Sequence, residues 1–142
     1  MRQRWLAALD QAGAPRLWCG AVGVLFGLQG LWAFVAPRSF FDTLATFEPF
    51  NAHFVRDVGA IEIGVGVAGI VGAFRTSAAV TGLAALAAFQ VLHVVSHVVD
   101  RQIGGRPGFD IPALSLAALI TVIALGLALR SARSAQEARS GP

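Results

Sequence analysis

Four long apolar segments constrain the fold of this chain more than any other feature of its sequence. They cover residues 17–36, 54–74, 78–99 and 111–129. An α-helix needs about 20 predominantly apolar residues to cross the ~30 Å hydrocarbon core of a bilayer, and each segment is close to that length. Backbone groups inside lipid must pair within the protein, which favours helices for such segments. The sequence therefore predicts an all-α, four-helix transmembrane bundle.

Composition supports a membrane protein over a soluble one. Of the 142 residues, 56% are hydrophobic and 13% are charged, whereas a soluble domain carries about 25% charged residues. A small soluble domain keeps much of its surface in water and cannot bury so many apolar side chains. The basic residues are spread along the chain, so no nucleic-acid partner is predicted. We expect one membrane domain whose partner is the lipid bilayer, alone, as a homo-oligomer or within a larger membrane complex.

The arginines predict how the chain lies across the membrane. Seven fall on the side that carries both termini: Arg2, Arg4, Arg16, Arg75, Arg130, Arg133 and Arg139. Four fall on the other side: Arg38, Arg56, Arg101 and Arg106. Cytoplasmic loops carry the excess of positive charge, so we predict cytoplasmic N and C termini. The absence of lysine and the abundance of alanine and glycine favour a bacterial source, and hence the inner (plasma) membrane.

The segments outside the predicted spans have distinct characters. The loop at residues 38–51 places Phe40, Phe41, Leu44 and Phe47 at helical spacing, which predicts a short amphipathic helix at the outer face. Residues 1–15 are predicted to lie at the membrane interface, with Trp5 at headgroup depth. Residues 131–142 are polar and rich in Ser, Ala and Arg, which predicts a disordered tail.

Small residues within the spans predict close helix packing. Gly23 and Gly27 form a GxxxG pair in the first span, and Gly64, Ala68 and Gly72 form a similar row in the second. Small side chains let membrane helices approach closely, because lipid supplies no hydrophobic force between helices. We interpret these glycines as packing residues.

All three histidines and two aspartates are predicted to converge near the outer face. The second span begins on that side and the third ends there, so His53 and Asp57 are expected at the level of His93, His97 and Asp100. Residues four apart share one face of a helix. Imidazole is a common ligand of Zn, Cu and Fe, and aspartate can complete such a site. The five residues therefore form a candidate metal site; alternatively, one histidine from each helix binds a haem iron.

Four further polar residues lie within the predicted spans: Gln29, Arg56, Glu62 and Gln90. His93, His97 and Asp100 form a stripe on one face of the third span, and Gln90 extends this histidine stripe inward. Arg56 is one possible partner of Asp57. Glu62 lies nine residues after His53, nearly opposite on the helical wheel, at a depth that matches Gln29. Ionisable residues inside a membrane mark functional sites by default.

Two other function classes stay open beside the metal or haem site. The polar residues can be purely structural, in an accessory subunit that binds no cofactor. Alternatively, Asp57 and Glu62 can couple proton movement to small-molecule transport, for which four helices would need to form an oligomer. No Ser/His/Asp triad or CxxC pair supports an enzyme, so no catalytic residue is predicted.

Two stretches carry a resemblance to known proteins: PFNAHFVRDVGAIEIGVGVAGIVGAF at residues 49–74 and LHVVSHVVD at residues 92–100. They resemble small four-helix membrane proteins of actinobacteria that are distantly similar to the DoxX-like group. The resemblance rests mainly on HFVRDVG and on the HxxxH of the third span. It implies a four-helix membrane fold and implies no settled activity.

Overall fold

A computed structural model describes residues 13–140, and five α-helices account for most of them. The helices are α1 (Ala14–Val35), α2 (Pro37–Thr43), α3 (Ala52–Phe74), α4 (Ala79–Val99) and α5 (Pro107–Ser140), with a 3-10 turn at Thr76–Ala78 before α4. No strand occurs between residues 13 and 140. α1, α3, α4 and α5 are long and apolar enough to cross a membrane. The predicted all-α four-helix bundle with a short helix between its first two spans is confirmed, and it indicates a multi-pass membrane protein.

Local sequence explains where the helices of the first half begin and end. α1 ends at Val35 and α2 starts two residues later at Pro37, because proline is favoured at the first turn of a helix and cannot extend a preceding one. The side chain of Asn51 caps α3 by accepting hydrogen bonds from the backbone nitrogens of His53 and Phe54, at 3.0 and 3.1 Å. Asparagine is a preferred N-cap because its oxygen pairs with otherwise free backbone N–H groups.

α5 differs from its prediction at both ends. It begins at Pro107, before the predicted start at residue 111, so Asp110 lies in its first turn. The Asp110 carboxylate still accepts a hydrogen bond from the backbone nitrogen of Arg106, at 2.7 Å. The helix continues to Ser140, so residues 131–140 are helical where a disordered tail was predicted. Residues 141–142, and the predicted interfacial segment up to residue 12, lie outside the described part of the chain.

α1 and α3 pack with their backbones in direct contact. A Cβ on Gly66 would lie 2.6 Å from the backbone nitrogen of Gly27, and one on Gly30 would lie 2.5 Å from a backbone oxygen of α3. Close packing of small residues is thus confirmed, but the row on α3 differs from the predicted one. A Cβ on Gly64 would meet nothing within 4 Å, and the face against α1 runs through Gly66 instead.

A set of hydrogen bonds joins α1, α4 and α5 inside the bundle. Trp18 Nε1 donates to the hydroxyl of Thr121 at 2.9 Å, and that hydroxyl donates to Gln90 Oε1 at 3.0 Å. Both Thr121 and Gln90 are buried. Gln90, which was predicted to extend the histidine stripe, therefore serves the contact between α4 and α5.

Candidate functional site

A cavity of about 800 Å³ opens at one end of the bundle. We call this the α2 end; α2, the start of α3, the end of α4 and the start of α5 meet there. Six phenylalanine rings line the cavity: Phe40, Phe41, Phe47, Phe54, Phe89 and Phe109. Its volume falls within the range of about 300–1,000 Å³ that is typical of small-molecule sites, which are mostly apolar with a few polar groups.

Glu62 is the most deeply placed charged residue of the cavity. It lies eleven residues after the N-cap of α3, or about 16 Å along the helix, and Gln29 of α1 lines the cavity with it. Only 3% of Glu62 is exposed, since the close approach of α1 at Gly30 covers it. The Oε2 atom of Glu62 is buried and has no hydrogen-bond partner among the described residues.

His93 and His97 form a pair on the α4 wall of the same cavity. Their Nε2 atoms lie 3.0 Å apart, so in the neutral pair one ring donates the proton and the other accepts it. The Nδ1 atom of His93 is buried and has no partner in the described chain. This atom is an acceptor when His93 donates to His97, and a donor in the opposite tautomer. In either arrangement His93 presents one unsatisfied polar atom.

Aromatic rings hold the two imidazoles in place. Phe89 packs edge-on against His93, with 5.6 Å between ring centroids, and Phe47 packs edge-on against His97 at 5.4 Å. The loop that carries Phe47 is tied to the loop before α5, because Gly105 N donates to Thr46 O at 3.1 Å. The two loops thus cover the α2 end of the cavity together.

The mouth of the cavity carries several charged groups. Glu48, Asp100, Arg106 and Asp110 all line it. Arg106 and Asp110 form an ion pair, with Nη2 and Oδ1 3.6 Å apart. Asp100 follows the last turn of α4 and is half-buried. Of the five predicted metal ligands, His93, His97 and Asp100 therefore line one cavity.

His53 and Asp57 do not join them. These side chains pair with each other at 3.5 Å and are 87% and 59% exposed, and neither lines the cavity. α3 and α4 are neighbours as predicted, but α3 turns its Glu62 face inward and its His53 face outward. Arg56 is exposed as well. The predicted convergence of all five residues is therefore wrong, because the two candidate faces of α3 lie on opposite sides of the helix.

This geometry leaves the predicted metal centre without a full ligand set. Within residues 13–140, no group of three or more His, Cys, Asp or Glu side chains is arranged to hold a metal ion. The haem alternative needs an imidazole from α3 opposite one from α4, and His53 faces out of the bundle. Structural zinc sites use four protein ligands and catalytic ones use three, whereas the His93–His97 pair supplies two. Binding of a metal or haem stays a prediction.

Glu62 was predicted to lie apart from the histidines, but it lines the same cavity as His93 and His97. A signal for this was present in the spacing of α3. Gly59, Glu62, Gly66 and Gly69 recur every three or four residues and form one stripe of the helix. A stripe of glycines marks the face that a neighbouring helix approaches, and Glu62 lies on that stripe.

We expect Asp57→Asn to change stability by less than about 1 kcal/mol, because an exposed i, i+4 ion pair contributes little. The effect is measured by thermal unfolding of the variant in lipid nanodiscs, monitored by circular dichroism. A loss of several kcal/mol would indicate instead that Asp57 packs between helices.

Comparisons with protein-family models, with curated proteins and with solved structures give no match. The resemblance of residues 49–74 and 92–100 to DoxX-like membrane proteins therefore stays a prediction. The cavity at the α2 end and the groups that line it are the features of this protein that indicate a function.

Proposed function

We propose that this membrane protein binds an amphiphilic small molecule in the cavity at its α2 end. The observation that carries the proposal is the pair of unsatisfied polar atoms, Glu62 Oε2 and His93 Nδ1, in a cavity whose lining is mostly apolar. Leaving one such group unpaired costs about 1–3 kcal/mol. A ligand with a polar head would pair with them, and its apolar body would fill the space between the phenylalanines.

Exposed apolar side chains at the edge of the cavity favour a ligand that arrives from the bilayer. Phe54 on α3 and Leu92 on α4 both line the cavity, yet they are 65% and 69% exposed. Ile103 and Phe109 combine the same two properties. A rim of exposed apolar side chains lets a lipophilic molecule move between lipid and cavity without passing through water. The ligand class is therefore a lipid-soluble molecule with a small polar head.

The proposal is tested by thiol protection at two adjacent positions of α3. Val58 lines the cavity, whereas Asp57 faces outward at nearly the same depth. We expect N-phenyl-1-naphthylamine, a neutral lipophilic probe, to slow N-ethylmaleimide labelling of Val58→Cys at least fivefold in nanodiscs. Labelling of Asp57→Cys should slow less than twofold. The native Cys19 is fully buried, so the unmodified protein provides the background.

The paired design separates binding in the cavity from partitioning into lipid. A probe that only dissolves in the bilayer would slow labelling equally at both positions. Equal protection of Val58→Cys and Asp57→Cys, or protection of neither, would contradict the proposal.

The structure gives less support to the two functions predicted from the sequence, metal or haem binding and proton-coupled transport. The His93–His97 pair offers two imidazole nitrogens, so a metal or haem bound there would need ligands from a second copy of the chain or from a partner. Proton-coupled transport through Asp57 and Glu62 loses one of its carboxyl groups, since Asp57 lies outside the cavity. The arginine distribution supports cytoplasmic termini, with the α2 end facing outward, and the composition supports a bacterial inner membrane.

A further inference from the structure

The charges that line the cavity differ in sign from those of the protein as a whole. The chain has a formal net charge of +3. The cavity is lined by four carboxyl groups, those of Glu48, Glu62, Asp100 and Asp110, against the single guanidinium of Arg106. A cleft lined by one sign of charge raises the local concentration of ligands of the opposite sign. This balance of charges favours a cationic ligand over an anionic one.

Three of the four carboxyl groups have no ion-pair partner in the described part of the chain. The Arg106 guanidinium is already engaged by Asp110, at 3.6 Å, and no arginine or histidine between residues 13 and 140 forms an ion pair with Glu48, Glu62 or Asp100. Buried charges in proteins are normally paired. Glu62, which is almost fully buried and unpartnered, is the group that gains most from a cationic partner.

The aromatic side chains that line the cavity also favour a positively charged ligand. Aromatic rings attract cations within about 6 Å of their centroids, and six phenylalanines line this space. One of these rings is already in contact with a cation, since the Arg38 guanidinium lies 5.8 Å from the centroid of Phe41. Aromatic rings and an unpaired carboxyl group together form a site for a positive charge carried on an apolar body.

We propose that the ligand of this cavity is a lipophilic cation, such as an amphiphilic amine, whose positive charge is bound by Glu62 and whose body packs against the phenylalanines. This inference rests on the function proposed above and specifies the class of ligand. A neutral amphiphile would leave Glu62 without a cationic partner, and an anionic one would be repelled by the carboxyl groups that line the cavity.

The test compares two probes of the same shape and opposite charge, tetraphenylphosphonium and tetraphenylborate. Each is added to Val58→Cys protein in zwitterionic nanodiscs, at equal membrane-bound concentrations, and the rate of N-ethylmaleimide labelling is measured. We expect the cation to protect Val58→Cys at least tenfold better than the anion. Neither probe should protect Asp57→Cys by more than twofold.

A second comparison assigns the charge preference to Glu62. Adding Glu62→Gln to the Val58→Cys protein removes the charge and keeps the size of the side chain, and we expect tetraphenylphosphonium protection to fall at least tenfold. Phe54→Leu, which alters one ring at the rim, should reduce it less. Thermal unfolding of each variant confirms that it is folded, and the comparison of the two probes on the Val58→Cys protein needs no substitution of Glu62.

The outcomes separate the two proposals. If N-phenyl-1-naphthylamine protects Val58→Cys but the cation and anion protect it equally, the cavity binds small molecules without charge preference and the present inference is overturned. Stronger protection by tetraphenylborate, or unchanged cation binding after Glu62→Gln, overturns it as well. If no probe protects Val58→Cys, both proposals fail.

Discussion

Gly66→Ala is expected to destabilise the folded protein by about 1–3 kcal/mol, the usual range for inserting a methyl group into a well-packed contact. The new Cβ would lie 2.6 Å from the backbone nitrogen of Gly27 and 2.7 Å from the backbone oxygen of Gly23. Backbone atoms cannot move aside as a flexible side chain does, so α1 and α3 would have to separate along their whole contact. Reversible unfolding in mixed detergent micelles measures the loss.

The matched control is Gly64→Ala, two residues earlier on the same helix. A Cβ at Gly64 would meet nothing within 4 Å, and alanine has a higher helix propensity than glycine by about 1 kcal/mol. We expect this variant to be as stable as the unmodified protein or slightly more stable. Equal destabilisation by both substitutions would show that α1 and α3 are not in backbone contact at Gly66.

Glu62→Met is expected to stabilise the ligand-free protein by about 1–3 kcal/mol, because it removes a buried polar group that has no hydrogen-bond partner. Methionine is close to glutamate in size and adapts to irregular spaces, so the packing against α1 at Gly30 is kept. The same substitution should abolish the protection of Val58→Cys by tetraphenylphosphonium. Thermal unfolding without ligand and thiol labelling with ligand measure the two effects separately.

Glu62→Gln is the control for that experiment, since it retains size and polarity and removes only the charge. We expect it to be less stable than Glu62→Met, because an amide in the same position still lacks partners. A decrease in stability on Glu62→Met would show that the carboxyl group is satisfied in the ligand-free protein. A gain in stability accompanied by loss of binding is the pattern expected where a residue is kept for function at a cost in stability.

Much of the fold could be predicted from the sequence because the bilayer imposes strict limits on it. Segment length and the lack of charge determine the four spans, and the pattern Phe40, Phe41, Leu44, Phe47 indicates the short helix that begins at Pro37. The predicted positions of the helix ends were less accurate. α5 starts before Asp110 and extends to Ser140, because its ends lie where apolar character no longer decides the conformation.

The candidate site was predicted in part. His93 and His97 are together on one face of α4, as their i, i+4 spacing requires, and Asp100 lines the same cavity. His53 and Asp57 also share a face, and they are likewise in contact. Spacing within one helix was therefore reliable. The spacing of the histidines and aspartates did not show how that helix is oriented toward its neighbours, although the glycine stripe that contains Glu62 indicated it.

The sequence by itself determined that this is a membrane protein, how many spans it has and which side chains share a helix face. These features follow from the length of the apolar segments and from the period of the α-helix. Only the tertiary structure decided which face of α3 is turned inward. The rotation of α3 is fixed by backbone contact between its glycines and α1, which turns Glu62 into the cavity and His53 and Asp57 outward. Periodicity places residues on a common face, whereas packing against a second helix decides where that face points.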